Sequence, residues 1–192
     1  MNPDEEIYDL VDMDDRVIGQ ATRKEIHQKK LIHRSVHIFV FNPEGDLFLQ
    51  KRAFSKDENP GFWDTSCAGH VDAGEDYLTA AKRELMEELA ISEPLSPVMN
   101  VKASEESHWE HVAAYTCVTR QPVKINPAEI LAGRYWSLDE IRHSISQKKY
   151  RFTSTFKLLW INYLKEQSEP VDKMSKKISQ GSVKGCRYKN IL

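Results

Sequence analysis

The sequence predicts an α/β fold in which a mixed β-sheet is held between helical layers, and three observations predict it. Segments of strand-like alternation are interleaved with a few segments of helical periodicity. One strand segment, HRSVHIFVFN, carries Val36, Ile38, Val40, Phe39 and Phe41, too apolar for a half-exposed strand, and reads as the buried centre of the sheet. The 192 residues are 40% hydrophobic and 29% charged, which suits one domain with a sizeable core.

Each element has its own local signal. IYDLVDMDDRVIGQAT reads as two strands joined by an Asp14-Asp15 turn. Thr22 with Glu25 three residues on is a capping box opening a short helix towards Lys30. NPEGD turns the central strand into its partner LFLQKR, and a short strand is expected from Thr65 to Ala68. A helix follows from about Asp76 to Ala90, with Leu78, Ala81, Leu85 and Leu89 on one apolar face. Strands are expected over Val98–Ala103 and Glu110–Arg120, and Ser137 with Glu140 caps another helix. A last helix, from about Ser154 to Gln167, carries Phe156, Leu159, Trp160 and Tyr163 on one stripe. Residues 1–167 therefore form the domain, and residues 168–192, lysine-rich and aperiodic, read as a basic, flexible tail.

Composition excludes several classes. A net charge of −2 argues against a nucleic-acid binder, and no apolar run approaches the roughly 18 residues of a membrane span. The acidic start MNPDEEIYDL lacks an apolar signal core. Three cysteines without CxxC spacing fit neither a disulfide framework nor a structural zinc site, so a reducing cytoplasm is expected. A homodimer is left open.

The chemistry concentrates in AGHVDAGEDYLTAAKRELMEELAI, Ala68 to Ile91. Residues three and four apart share a helix face, so Glu84, Glu87 and Glu88 crowd together while Leu85 and Leu89 turn to the core. Like charges this close repel unless a cation intervenes, and oxygen-only ligands suit Mg²⁺ or Mn²⁺. A solvated acidic face with Lys82 and Arg83 as counterions is the plain alternative. Gly69 and Gly74 allow a sharp loop before the helix, which favours the cation.

This segment resembles the Nudix box: G, five residues, E, seven residues, then R-E-U-x-E-E-x-G-U, with U aliphatic. Gly69, Glu75 and Arg83 through Ile91 reproduce it except at Ala90, where the family has glycine. The resemblance extends over about Ile7 to Lys165. It implies an α/β/α sandwich, with Glu84, Glu87, Glu88 and the Ala68 carbonyl as divalent-metal ligands. It also implies that Glu75 with Arg83 orients the loop, and that Glu129 lies in a loop near the metals. The implied reaction is Mg²⁺- or Mn²⁺-dependent hydrolysis of a nucleoside diphosphate linked to another group, a small-molecule substrate. Metal ions there bridge phosphates and activate water, with Glu87, Glu88 or Glu129 as general base.

Parts of the chain are also similar to isopentenyl diphosphate isomerase, a member of the same superfamily. KRAFSK, PGFWDTSCAGH and HWEH carry this likeness. His33, His70, His108 and Glu110 match its metal-binding positions and imply a second divalent site, for Zn²⁺ or Mn²⁺, or a substrate contact. The isomerase's catalytic cysteine immediately precedes its Gly-His; here Ala68 stands in that place and Cys67 one residue earlier, on the other face of a strand. Hydrolysis is therefore the favoured expectation, isomerisation the rival, and a non-catalytic nucleotide-binding module the third. Arg52 is a phosphate contact or a solvated strand end, and His70 a loop histidine or a ligand. His37 reads as structural, Cys67 and Cys117 as buried apolar residues, and Trp63, Trp109 and Trp136 as core or base-stacking groups.

Overall fold

A computed structural model describes residues 3–168. The expected tail, beyond Ser168, lies outside the described residues. The first hairpin pairs β1 (Ile7–Val11) with β2 (Val17–Thr22) as a separate two-stranded sheet. Its turn is tied by the Asp12 carboxylate, which accepts from the backbone N–H groups of Asp14 and Arg16 at 2.8 and 3.0 Å. Helix α1 (Arg23–Lys29) starts where the Thr22 hydroxyl accepts from the Glu25 N–H, and Lys30 ends it in the left-handed region.

The main sheet is built on β3 (His33–Phe41). Along its whole length β3 runs parallel to β8 (Glu110–Val118), and β7 (Ser96–Val101) pairs antiparallel with β8. On its other side β3 meets β4 (Leu47–Arg52) only at Phe41 and Leu47, after which the two strands part. Residues 63–70 enter this gap. They pair first with β4 as β5 (Trp63–Asp64), then with β3 as β6 (Cys67–His70), while β9 (Ile130–Trp136) covers the far edge of β4. Ser66, fully buried, stitches the crossing by donating to the Phe48 carbonyl and accepting from the Val40 N–H. Thr65 and Ser66 are consumed by this crossing, so the strand expected from Thr65 begins at Cys67 instead.

Helix α2 (Tyr77–Leu89) covers one face of the sheet, where Val36, Ile38 and Val40 meet Ala81, Leu85 and Leu89. Leu78 is 38% exposed and does not join this core. Periodicity assigns a residue to a helix face but does not say where along the helix the covering layer ends. On the other face Phe39, Phe41 and Leu47 pack with Phe156, Leu159 and Trp160 of α4 (Ser154–Ser168). Helix α3 (Leu138–Ser146), capped by the Ser137 hydroxyl, adds Ile141. The result is a mixed sheet between helical layers.

Candidate active site

Asp76 starts α2 by accepting from the N–H groups of Leu78 and Thr79 at 2.9 and 3.0 Å. Two to three turns later the helix presents Glu84, Glu87 and Glu88. Glu88 is only 4% exposed; its Oε2 accepts from Gln50 Nε2 at 3.0 Å and from the Ala68 N–H at 3.3 Å. Glu84 lies against Gly69 so closely that a Cβ there would stand 2.0 Å from its Cδ. Glu87 is exposed. Burial raises the pKa of Glu84 to about 7; the Glu88 charge adds to the rise and Arg83 opposes it. Burial likewise raises Glu88, against the nearby Lys56 ammonium. Two largely buried carboxylates that lack full neutralisation fit an oxygen-seeking divalent cation.

The loop before α2 is clamped to the helix. Arg83 donates to both Glu75 oxygens at 3.2 and 2.9 Å, to the His70 carbonyl at 3.0 Å and to Glu84 at 2.7 Å. Gly74, at φ +77°, lets its N–H reach the Asp9 carboxylate at 2.9 Å, which anchors the loop on β1. Ala90 ends α2 at φ 53°, ψ 37°, the left-handed conformation that its place in the pattern requires, and the Ile91 N–H returns to the Leu85 carbonyl.

Glu129, just before β9, forms an ion pair with Lys56 at the mouth of the same cleft. Arg52, at the end of β4, donates to the Glu58 carbonyl at 3.0 Å and to Asp64 at 3.4 Å. It is therefore held by protein groups on the cleft wall. The cleft has a volume of about 750 Å³, and most of the residues that line it are polar.

A second group gathers at the inner end. The parallel register sets His33 beside Glu110, and the antiparallel one sets Ser35 beside His70. The Nε2 atoms of His33 and His70 lie 3.6 and 3.4 Å from Glu110 Oε1. His27 of α1 joins them, so that ring nitrogens of His27, His33 and His70 all fall within 4.8 Å of one another. His33 Nδ1 is 3.0 Å from the Leu31 carbonyl, which can only accept, so the proton sits on Nδ1 and Nε2 is a bare, buried lone pair. Burial lowers the pKa of all three histidines. Burial would raise Glu110, but the hydrogen bond and charge of His70, with His33, hold it well below the carboxylate range. This donor set suits a divalent ion that accepts imidazole.

His27 is not legible in the sequence because only the fold brings its ring against those of His33 and His70; its spacing of six from His33 carries no periodic signal. His108 does not join the group. At φ 54°, its ring faces Glu58 at 3.4 Å and the Ser154 hydroxyl at 3.3 Å, on the cleft rim.

Strand pairing also settles the two residues before Gly69. Ala68 pairs with His37, and both line the cleft; Cys67 pairs with Ile38 and is fully buried in the α2-side core. Burial pushes the Cys67 thiol well above its usual pKa, and burial raises Cys117 to about 12. His37, expected to be structural, lines the cleft floor, with Nδ1 2.8 Å from the Thr65 hydroxyl; burial lowers its pKa. Trp136 is core and Trp63 packs edge-on against it, whereas Trp109 lines a smaller cavity beside His27 and His33.

Residues 31–156 match the NUDIX domain. The chain is 32% identical over 173 residues to an isopentenyl-diphosphate Delta-isomerase of Pectobacterium atrosepticum, covering 83% of this chain and 96% of that protein. Two further relatives of that name match over only 52% and 53% of their own lengths. An uncharacterised Nudix hydrolase of Pseudomonas aeruginosa is 35% identical over 133 residues, 69% of this chain and 79% of that one. Among solved structures, DR0079 of Deinococcus radiodurans superposes with a TM-score of 0.71 at 25% identity, covering 80% of this chain and 96% of its own. With its box on a clamped loop and helix, and with the match spanning most of the domain, this chain belongs to the NUDIX family.

Proposed function

We propose that the protein is a divalent-metal-dependent hydrolase that cleaves a diphosphate linkage in a substrate of the nucleoside diphosphate-X type. The observation that carries this reading over isomerisation is the pairing of Ala68 with His37 on the cleft face, with Cys67 turned into the core. A thiol that moves protons on an isoprenoid must reach the substrate, and none lines the cleft among the described residues.

In this reading Glu84, Glu87 and Glu88, with the Ala68 carbonyl, hold Mg²⁺ or Mn²⁺. The bound metal supplies charge neutralisation on the phosphates and lowers the pKa of the attacking water. Lys56, and Arg52 through the N–H groups that Glu58 and Asp64 leave free, would meet the phosphate oxygens. Glu87, Glu88 or Glu129 takes the proton of the attacking water. Arg83, by holding Glu75 and the His70 carbonyl, keeps the loop fixed against the helix. The isomerase reading has its own support in the relatives' names and in the group His27, His33, His70 and Glu110, which we assign to a second divalent site. No helix among the described residues is long and apolar enough to cross a membrane.

The test is release of phosphate or nucleotide, with Mg²⁺ or Mn²⁺, from a panel of nucleoside diphosphate derivatives, with isopentenyl diphosphate assayed beside them. E88Q serves as matched control, because glutamine keeps the size of the side chain and removes its charge. Metal-dependent release that falls by orders of magnitude in E88Q supports hydrolysis. Double-bond migration without release would establish the isomerase instead. Tight nucleotide binding without either reaction would leave the non-catalytic module.

A further inference from the structure

One buried ring on the cleft floor has no part in metal binding or in holding the loop. His37 is 5% exposed and lies directly across the strand pair from Ala68. Its Nδ1 sits 2.8 Å from Thr65 Oγ1, and the Thr65 hydroxyl donates its single proton to the Cys67 carbonyl at 3.2 Å. Thr65 Oγ1 can therefore only accept from the ring. The His37 hydrogen is fixed on Nδ1, and Nε2 carries a lone pair with no partner among the described residues.

Two neighbouring hydroxyls are already committed. The Thr153 hydroxyl donates to Asp64 at 2.9 Å, and the Thr155 hydroxyl to the Glu106 carbonyl at 3.3 Å. Arg52 donates from Nε to the Glu58 carbonyl and from Nη1 to Asp64, not to the ring. An acceptor that opens on the cleft and that its own protein leaves unmatched favours a ligand bringing the donor.

We propose that His37 is a specificity-determining residue whose Nε2 accepts a hydrogen bond from a hydroxyl on the group attached to the diphosphate. The cleft then selects a hydroxylated, sugar-type group over a plain alkyl one. This inference rests on the diphosphate-hydrolase reading and deepens it.

The test uses the full-length protein and two Mg²⁺ substrates, a nucleoside diphosphate hexose and the matching nucleoside diphosphate alkyl ester. H37L removes the acceptor with little change of volume, H37Q restores one, and T65V leaves the ring in place but removes the group that fixes its proton. H37L should raise KM for the hexose compound roughly three- to tenfold, leave KM for the alkyl ester and both kcat values within about twofold, and be partly rescued in H37Q. Equal losses on both substrates would overturn the proposal, because they would mean a structural or general catalytic role.

Imidazole ¹⁵N spectra provide a readout independent of turnover. Wild-type His37 should show the proton on Nδ1, T65V should redistribute it, and the Nε2 resonance should move with the hexose compound but not with the alkyl ester. A proton on Nε2 in the wild type, or no selective shift, refutes the inference. If neither compound is hydrolysed, the diphosphate-hydrolase reading fails by itself, and the spectra still decide the role of His37.

Discussion

Replacing Gly69 by alanine separates the metal-binding geometry from the fold. Gly69 lies in β6, in extended backbone that alanine adopts without strain. The added Cβ would lie 2.0, 2.2 and 2.5 Å from Cδ, Oε1 and Oε2 of Glu84. Comfortable contact needs roughly 3.5–4.0 Å, so the carboxylate must retreat by about 1.5 Å. It can do so, because it is the end of a flexible side chain, at a cost of about 1 kcal/mol for an altered rotamer. A misplacement of about 1 Å at a reacting centre costs on the order of 100-fold in rate. G69A should therefore lose about two orders of magnitude in kcat/KM and bind Mn²⁺ more weakly in a calorimetric titration. Its melting temperature should fall by no more than about 4 °C. Wild-type metal affinity in a folded G69A protein would refute the assignment of Glu84 as a ligand held by contact with this glycine.

Three further outcomes are expected. A90G should stabilise the protein by about 0.5–1 kcal/mol, or roughly 1–4 °C, because relief of a left-handed alanine outweighs the added freedom of the unfolded chain; an unchanged or lower melting temperature would contradict the cap geometry. S66A leaves the buried Val40 N–H and Phe48 carbonyl without the hydroxyl that joins them, and should cost about 2–4 kcal/mol by chemical denaturation. In metal-free protein the raised Glu84 pKa means that the folded state holds its proton longer than the unfolded state. That stabilisation is complete below about pH 4.5 and is lost as pH rises towards 7. The buried histidines, with lowered pKa values, act in the opposite sense, so the readout is the difference between wild type and E84Q across pH 4.5–7. A pH-independent difference would show that Glu84 titrates normally.

The sequence by itself determined what is local. Helix α2 and its acidic face follow from spacings of three and four, its start from the Asp76 cap, and its end from the position of Ala90 in the box. The β3 strand is legible in its run of apolar residues. Helix caps, turns and side-chain periodicity depend on residues within a few positions of one another, so they are written directly in the chain. Tertiary structure alone decided the rest. Alternation places His33, Ser35 and His37 on one face of β3, but only pairing with β6 and β8 shows that this face opens on a cleft and not on the core. The same register sends Cys67 inward and Ala68 outward. His27 meets His33 and His70 only through the tertiary fold, while His108 turns to the rim at a positive φ. The parting of β3 from β4, which makes room for β6 and hence for the cleft, depends on strand pairings distant in sequence. Such pairings are set by which whole arrangement buries both apolar faces at once, and no local window of the chain contains that information.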